Sequence, residues 1–154
     1  LIVLYSDTKK ARGITMFKIR YALNEDQPFW RRFDQHLPKR ELELKIYEKR
    51  AYVIHDDDKL IGIMRYNLFW DTIPFLTFIY LEEAYRQKGF GKLAMMAWET
   101  EMRASGYTAV MTSTQVDESA QHFYRNLGYR EKGALFLDHT PFDQPQEMIM
   151  VKIL

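Results

Sequence analysis

The spacing of hydrophobic positions along the chain separates strands from helices. Short runs rich in aromatic and β-branched side chains predict strands at residues 16–21, 51–55, 60–70, 75–81, 107–114, 129–138 and 148–154. Four of the intervening segments predict helices. The last of these has the clearest helical stripe, with apolar positions three and four residues apart: Ala120, Phe123, Tyr124 and Leu127.

Capping residues set the expected helix ends. Asn24 is expected to cap a first helix that runs to about residue 37, and Pro38 to open a second at its N1 position. Residues 93–104 lack Pro and Gly and predict a third helix. Asp117 is expected to cap the fourth, which Gly128 ends. The resulting order, β-α-α-β-β-β-α-β-α-β-β, predicts an α/β fold built on a mixed sheet.

The first 13 residues differ from the rest of the chain. Residues 1–5 are strand-like, residues 6–13 are polar and basic, and Met16 heads a more regular strand. We therefore expect residues 1–13 to be an N-terminal extension, native or artificial, and residues 14–154 to be a single domain. This extension either trails in solvent or pairs residues 1–5 with a sheet edge, on this chain or on a neighbouring molecule in a homodimer.

One short basic loop joins a buried strand to a helix: Tyr85-Arg86-Gln87-Lys88-Gly89-Phe90-Gly91-Lys92. The first turn of a helix has backbone N–H groups without intrahelical partners, and the helix dipole adds positive charge there. Two glycines let the backbone approach a ligand without interference from Cβ atoms. Because three basic side chains add formal charge, the loop predicts an anion site, most simply for phosphate.

Spacing separates three kinds of nucleotide-binding loop. A Walker loop would need Gly at residue 86 and Ser or Thr after Lys92, and neither is present. Gly89-x-Gly91-x-x-Ala94 satisfies a loose dinucleotide fingerprint, which keeps an NAD-binding domain as a minor alternative. However, that fingerprint follows its strand directly, and residues 110–114 contain no acid for a ribose. The pattern that remains is Arg86-x-x-Gly89-x-Gly91.

Composition narrows the class of protein. The chain has 154 residues, a net charge of +1 and 47% hydrophobic residues, so it predicts a folded domain without affinity for nucleic acid or an anionic membrane. It has no Cys, which fits a cytoplasmic protein and excludes thiolate chemistry. No apolar run approaches the roughly 20 residues of a membrane span. No metal site is expected, because the four His residues are scattered: His36, His55, His122 and His139.

Two motifs, in the right order, resemble one family. Arg86-x-x-Gly89-x-Gly91 resembles the pyrophosphate loop of the GNAT superfamily of N-acetyltransferases. Ala120-x-x-Phe123-Tyr124-x-x-x-Gly128-Tyr129 resembles that family's closing helix and the strand after it. The resemblance covers about residue 16 to the end of the chain. It implies the GNAT fold, with acetyl-CoA entering where two neighbouring strands splay apart.

The resemblance implies positions for the cofactor. The pantetheine arm would bind the backbone at the end of the central strand, near Tyr80, Leu81 and Glu82. The pyrophosphate would lie on the loop residues Arg86, Gln87, Lys88, Gly89, Phe90, Gly91 and Lys92. Tyr124 would point at the cofactor sulfur, where a phenol with a pKa of about 10 can protonate a departing thiolate. Because Tyr124 lies on the apolar stripe, a packing role is the alternative.

The base that deprotonates the acceptor is not evident in the sequence. The family often places a Glu or His on the central strand or the next one, but here those strands carry neither. Glu82 and Glu83 lie near the loop. A water molecule held by Thr77 or Ser113 is another route for the proton.

The acceptor is expected to be a small-molecule amine or an amino-acid-like compound, acetylated by direct transfer in a ternary complex. Asp71 or Asp138 would attract a cationic amine. Aromatic residues would line the pocket: Trp30, Tyr66, Phe69, Trp70, Phe136 and Phe142. Two alternatives stay open, a protein N-acetyltransferase and a non-catalytic coenzyme-A-binding or regulatory module.

Overall fold

The computed structural model describes residues 6–9 and 14–154. The strands in this part of the chain are β1 (Ser6–Lys9), β2 (Ile14–Tyr21), β3 (Ala51–Asp56), β4 (Lys59–Phe69), β5 (Ile73–Leu81), β6 (Ala109–Gln115), β7 (Arg130–Leu135) and β8 (Glu147–Ile153). The α-helices are α1 (Gln27–Trp30), α2 (Lys39–Tyr47), α3 (Phe90–Ala104) and α4 (Ala120–Asn126). From β2 to β8 the order is the one expected, which confirms the mixed α/β fold.

The N-terminal segment contributes one strand. β1 pairs with β2 in antiparallel register, from Ser6 opposite Phe17 to Lys9 opposite Ile14. The strand-like pattern at residues 1–5 lies outside the described residues.

The chain forms two compact units. Unit 1 consists of the residues up to Tyr66 together with Phe78–Trp98, and its strands hydrogen-bond in the order β1-β2-β3-β4-β5. Unit 2 consists of Asn67–Thr77 and Glu99–Leu154, and its strand order is β5-β6-β8-β7. β5 and α3 therefore contribute residues to both units. In unit 2, β5 and β6 are parallel, and β8 is antiparallel to both β6 and β7.

The core of unit 1 is apolar, and β3 and β4 are buried over five and four consecutive residues instead of alternating between buried and exposed positions. Its strands carry inward-facing β-branched and aromatic side chains, and α1 and α2 each add a large residue. A cluster of fully buried side chains results: Ala22, Trp30, Leu42, Ala51, Val53 and Ile63.

The first helix is much shorter than expected, and the prediction that Asn24 caps it is wrong. Asn24 lies inside a 3₁₀ turn, Asn24–Asp26, and α1 covers only four residues. The carboxylate of Asp26 takes the capping role by accepting a hydrogen bond from the Leu23 N–H at 2.7 Å. Asp26 also binds both terminal nitrogens of Arg20, at 2.7 and 2.8 Å. This buried ion pair fixes the start of the turn.

The later helices also begin at slightly different residues. Pro38 is the N-cap of α2 and not its first helical residue. α4 begins at Ala120, so the prediction that Asp117 caps it is wrong. The Glu118 carboxylate accepts hydrogen bonds from Thr114 Oγ1 at 2.8 Å and from the Gln115 N–H at 3.3 Å. These bonds hold the chain in a turn before the helix can start.

Among the described residues, no helix combines the length and apolar character needed to span a membrane.

Candidate active site

In unit 1 the basic loop turns sharply into α3. Two of its residues have left-handed backbone angles, Gln87 with φ 57° and Gly89 with φ 92°. A residue with a Cβ is strained at such angles, which explains the glycine. The Gly89 carbonyl accepts the hydrogen bond from the Leu93 N–H at 3.0 Å, so the helix starts here. Residues 90–92, which were expected to lie in the loop, form its first turn.

This helix start fits a phosphate group. The N–H groups of a first helical turn have no intrahelical partners, and here they adjoin three exposed basic side chains, Arg86, Lys88 and Lys92. A Cβ built on Gly89 would meet no atom within 4 Å, so the space beside the backbone is open. The Phe90 side chain is only 4% exposed and packs between the rings of Phe17 and Tyr85. A ligand at the loop would therefore contact the backbone of Phe90 and not its side chain.

Two of the loop's cations also have structural partners. Arg86 Nε donates to the Leu81 carbonyl at 3.0 Å, and its guanidinium lies 4.9 Å from the centre of the Tyr80 ring. Lys88 Nζ lies 5.4 Å from the centre of the Tyr85 ring. The Arg86 contacts tie the loop to the end of β5, and the Lys88 contact lies within the loop.

The end of β5 depends on a glycine that the sequence did not single out. A Cβ on Gly62 would lie 2.5 Å from the Tyr80 carbonyl oxygen and 2.6 Å from Leu81 Cδ2. Only glycine lets β4 approach this closely. The backbone at Tyr80–Glu82, predicted to bind the pantetheine arm, therefore has a fixed position in unit 1.

Glu82 does not have the surroundings of a free base. Its N–H donates to the Ile61 carbonyl at 2.8 Å, and its carboxylate binds Arg32 at 3.2 Å and Lys59 at 3.7 Å. Two cations therefore share one carboxylate, which makes Glu82 a structural residue. Glu83 is exposed in the following 3₁₀ turn.

Unit 1 also contains a wall of aromatic rings that sequence analysis missed. Phe33 stacks on Tyr80 at 4.6 Å and meets Phe29 edge-on at 5.2 Å, while Tyr80 lies parallel to Phe78 at 6.5 Å. Arg32 covers the Phe33 ring at 4.9 Å. The rings come from two segments, residues 29–33 and β5, which are more than 40 residues apart in the sequence, so no local pattern reveals their contact.

Two residues expected to line an acceptor pocket are instead in the core. Trp30 is 0% exposed and donates its Nε1–H to Asp34 at 3.1 Å, and Tyr66 is 8% exposed. Asp34 also binds Arg65 Nε at 2.7 Å, so its charge is neutralised within unit 1. The other four aromatic residues of that expectation lie in unit 2 and are exposed: Phe69, Trp70, Phe136 and Phe142.

Tyr124 is a buried side chain of unit 2. It is only 6% exposed and packs edge-on against Phe123 at 5.3 Å and Tyr129 at 5.8 Å. Burial raises the pKa of the Tyr124 phenol, whose hydroxyl is hydrogen-bonded to Thr112. The hydroxyl therefore stays protonated throughout the neutral pH range and has a fixed neighbour.

Thr112, which hydrogen-bonds to Tyr124, belongs to the last residue pair between β5 and β6. β5 and β6 pair at two positions, Phe75 with Met111 and Leu76 with Thr112. Beyond Thr112, β6 continues to Gln115 and remains paired with β8. Parallel pairing with β5 thus stops beside the side chain that contacts Tyr124.

A buried ion pair between Lys152 and Glu99 lies beside Tyr129, which packs on Tyr124. Lys152 Nζ contacts Glu99 Oε2 at 2.5 Å, and Lys152 lies 5.7 Å from the centre of the Tyr129 ring. Burial and the Glu99 charge raise the pKa of Tyr129. Because Tyr129 is fully buried and packs on Tyr124, the pair helps to hold the Tyr124 ring in place.

Comparison with known proteins identifies the class. A family model described as the acetyltransferase (GNAT) family matches residues 18–129, which is most of the chain. The chain therefore belongs to the GNAT family of acetyltransferases and is an acyltransferase. No curated protein sequence gives a significant match.

Solved structures share the fold at low sequence identity. Ard1 from Thermoplasma volcanium is 17% identical, with a TM-score of 0.76 over 90% of this chain and 97% of that one. Spermidine/spermine N-acetyltransferase SpeG from Vibrio cholerae is 18% identical, with a TM-score of 0.70 over 89% and 92%. Arabidopsis thaliana Naa50, in complex with the bisubstrate analogue CoA-Ac-MVNAL, is 10% identical, with a TM-score of 0.73 over 88% and 97%. One of these neighbours is named for small-molecule amines, and another is bound to a bisubstrate analogue that contains CoA.

Proposed function

We propose that this acetyltransferase transfers an acetyl group from acetyl-CoA to the amine of a small molecule or amino-acid-like acceptor, by direct transfer in a ternary complex. Residues 14–154 form the catalytic domain in this proposal, and residues 1–13 are an extension. The observation that carries it is the basic loop of unit 1, where Gln87 and Gly89 turn the chain into α3 and leave first-turn N–H groups beside exposed cations.

The loop residues hold the diphosphate of the cofactor in this proposal. The backbone of residues 89–92 donates hydrogen bonds, and Arg86, Lys88 and Lys92 neutralise charge. The backbone at Tyr80–Glu82 binds the pantetheine amides. Bound acetyl-CoA supplies an activated thioester, whose carbonyl carbon accepts the amine.

Tyr124 assists departure of the sulfur. Its hydroxyl remains protonated at neutral pH because burial raises its pKa, so it can always donate a hydrogen bond or a proton to the leaving thiolate. Thr112 holds the Tyr124 hydroxyl in place in this proposal. Because the Thr112 hydroxyl donates its own hydrogen to the Leu76 carbonyl, its oxygen accepts the hydrogen bond from the phenol. The packing role that sequence analysis kept as an alternative is compatible with this chemistry, because the same buried ring serves both.

Two exposed carboxylates of unit 2 would attract an acceptor amine in its cationic form. Asp71 and Asp138 are exposed carboxylates there, and exposed aromatic rings accompany them: Phe69, Trp70, Phe136 and Phe142. A small acceptor with an ammonium group would find both attraction and apolar contact on such a surface. The absence of Cys fits a cytoplasmic enzyme, which is the compartment we propose.

Thiol release tests the proposal. Because the chain has no Cys, a thiol reagent added to protein and acetyl-CoA reports only free coenzyme A. The acceptor panel should contain polyamines, amino acids and short peptides with free N-termini, and mass spectrometry should identify the acetylated product. We expect release with small amines. Release with peptides alone would identify a protein N-acetyltransferase, and acetyl-CoA binding without release on any acceptor would identify a non-catalytic module.

A further inference from the structure

The two faces of the β6–β8 pair differ in exposure. Residues directly opposite each other on paired strands share a face, and successive residues alternate between faces. One face is buried and carries Thr112, Thr114, Met148 and Met150, of which Thr112 contacts Tyr124. The other face carries five half-exposed residues, Ser113, Gln115, Glu147, Ile149 and Val151, together with Met111, which is buried.

Glu147 is the acidic residue of that open face. It stands opposite Gln115 in the register, at the end of β6 where pairing with β5 has already stopped. Ser113 lies diagonally across from it on the same face, at a separation of roughly 7–8 Å that one water molecule can bridge. A carboxylate and a hydroxyl thus lie beyond the last β5–β6 pair, on the face opposite the one whose Thr112 contacts Tyr124.

The surroundings of Glu147 leave its negative charge uncompensated. Its carboxylate accepts a hydrogen bond from Gln144 Nε2 at 3.0 Å, and the described residues provide no cation to pair with it. The residues opposite it on both neighbouring strands, Gln115 and Leu135, are uncharged. By contrast, the buried Glu99 of the same unit is paired with Lys152.

Glu118 provides a useful comparison. Glu118 and Glu147 both act electrostatically on the Tyr124 phenol. However, Glu118 already accepts hydrogen bonds from Thr114 and from the Gln115 backbone, which gives it a role in shaping the turn before α4. Glu147 has no such structural task beyond its contact with Gln144.

We propose that Glu147 is the general base of the reaction and draws the proton from the acceptor ammonium through a water molecule beside Ser113. This inference rests on the proposed function. The nitrogen loses one proton to Glu147, and its lone pair then forms the C–N bond with the acetyl carbon. The C–S bond breaks with its electron pair on sulfur, which takes a proton from Tyr124. The second proton of the nitrogen restores the phenol through solvent, and Glu147 releases its proton to bulk water.

The test compares Glu147→Gln with the matched variant Glu118→Gln, using an amine that the parent protein acetylates. Both substitutions remove one negative charge near Tyr124 and keep the hydrogen-bonding shape. At pH 7 we expect Glu147→Gln to lower kcat about 100-fold or more, the usual size of a general-base contribution, with KM for acetyl-CoA unchanged. Glu118→Gln should stay within a few-fold of the parent. Ser113→Ala should give a smaller loss than Glu147→Gln.

The pH profile separates a base from a structural residue. As the pH approaches the pKa of the acceptor amine, the free amine forms without help, so the defect of Glu147→Gln should shrink steadily. A defect of the same size at every pH, or an equal loss in Glu118→Gln, would overturn the assignment, as would parental turnover in Glu147→Gln. If Glu147→Gln melts well below the parent, Glu147→Asp replaces it, with partial activity expected and parental activity contradicting the assignment. If the parent acetylates no amine, the proposed function itself fails.

Discussion

The hydroxyl of Thr112 donates a hydrogen bond to the carbonyl oxygen of Leu76 at 3.2 Å, across the last residue pair that joins β5 to β6. The same side chain hydrogen-bonds to the Tyr124 phenol. The Thr112 hydroxyl therefore contacts both the last paired residue of β5 and the phenol of Tyr124, the proposed acid. This makes Thr112 a positioning residue that acts through Tyr124.

Thr112→Val tests that positioning role. Valine keeps the buried shape and removes the hydroxyl, so the Leu76 carbonyl loses a partner and the unfolding free energy should fall by about 1–2 kcal/mol. Turnover should fall about tenfold, with acetyl-CoA affinity unchanged. Thr114→Val is the matched control, because Thr114 is equally buried but donates to Glu118. It should lose similar stability and keep its turnover. Equal turnover losses in the two variants would remove Thr112 from the mechanism.

Gly62→Ala should be strongly destabilising. The new Cβ would lie 2.5 Å from the Tyr80 carbonyl oxygen, so the end of β5 must move, at a cost of about 1–3 kcal/mol in unfolding free energy. Gly133→Ala is the control: Gly133 lies in the exposed strand β7, and a Cβ there meets nothing within 4 Å. Urea denaturation of both variants measures the difference. Similar stabilities would mean that β4 and β5 are not as close as described.

Gly91→Ala tests whether the cofactor approaches the helix backbone. Gly91 lies in the first turn of α3, where alanine is a better helix former by up to about 1 kcal/mol. The variant should therefore melt at or above the parental temperature. It should nevertheless bind acetyl-CoA at least about tenfold more weakly, which corresponds to a loss of ~1.4 kcal/mol in binding free energy. Calorimetric titration measures this. Parental affinity would place the diphosphate elsewhere. Gly89→Ala is a poorer test, because its left-handed backbone would add strain.

Much of the fold was predictable because it depends on local patterns. The strands β3, β4 and β5 were placed within about two residues by their runs of aromatic and β-branched side chains. Helix starts were less predictable, because a distant partner competes with the local cap. Arg20 draws Asp26 into an ion pair and moves the start of α1, and Thr114 engages Glu118 ahead of α4.

The candidate site was predictable only where one segment carries it. The loop at residues 86–92 and Tyr124 were visible as motifs, whereas Glu147 becomes notable only through its register with Gln115, 32 residues earlier in the chain. The same holds for Gly62, whose role depends on the approach of β4 to Tyr80. Pairings between distant segments leave no local signal in a single sequence.

His55 should make stability depend on pH. This buried residue of β3 has a pKa lowered from 6.5, first by burial and then by the charges of Arg20 and Lys18. As the pH falls, the His55 side chain is therefore protonated at a higher pH in the unfolded chain than in the folded protein. Stability is full above about pH 6.5 and declines below it until the lowered folded-state pKa is reached, by at most about 1.4 kcal/mol per pH unit.

His55→Phe should flatten that dependence. The phenylalanine ring stays buried and cannot be protonated, so the stabilities of the parent and the variant should diverge as the pH falls below about 6.5. The melting temperatures of both proteins should be measured across this pH range. Their difference at each pH cancels the contribution of the carboxylates that the two proteins share. Parallel curves would show that His55 does not titrate differently in the folded state.

The most direct test of the account is the rate of coenzyme A release by Tyr124→Phe, measured with saturating acetyl-CoA and an amine that the parent acetylates. Phenylalanine keeps the buried ring and its contacts with Phe123 and Tyr129, and removes only the hydroxyl. We predict that the variant binds acetyl-CoA normally, unfolds within about 1 kcal/mol of the parent and loses about 100-fold in kcat. Parental turnover, or a loss confined to stability, would contradict the assignment of Tyr124 as the acid.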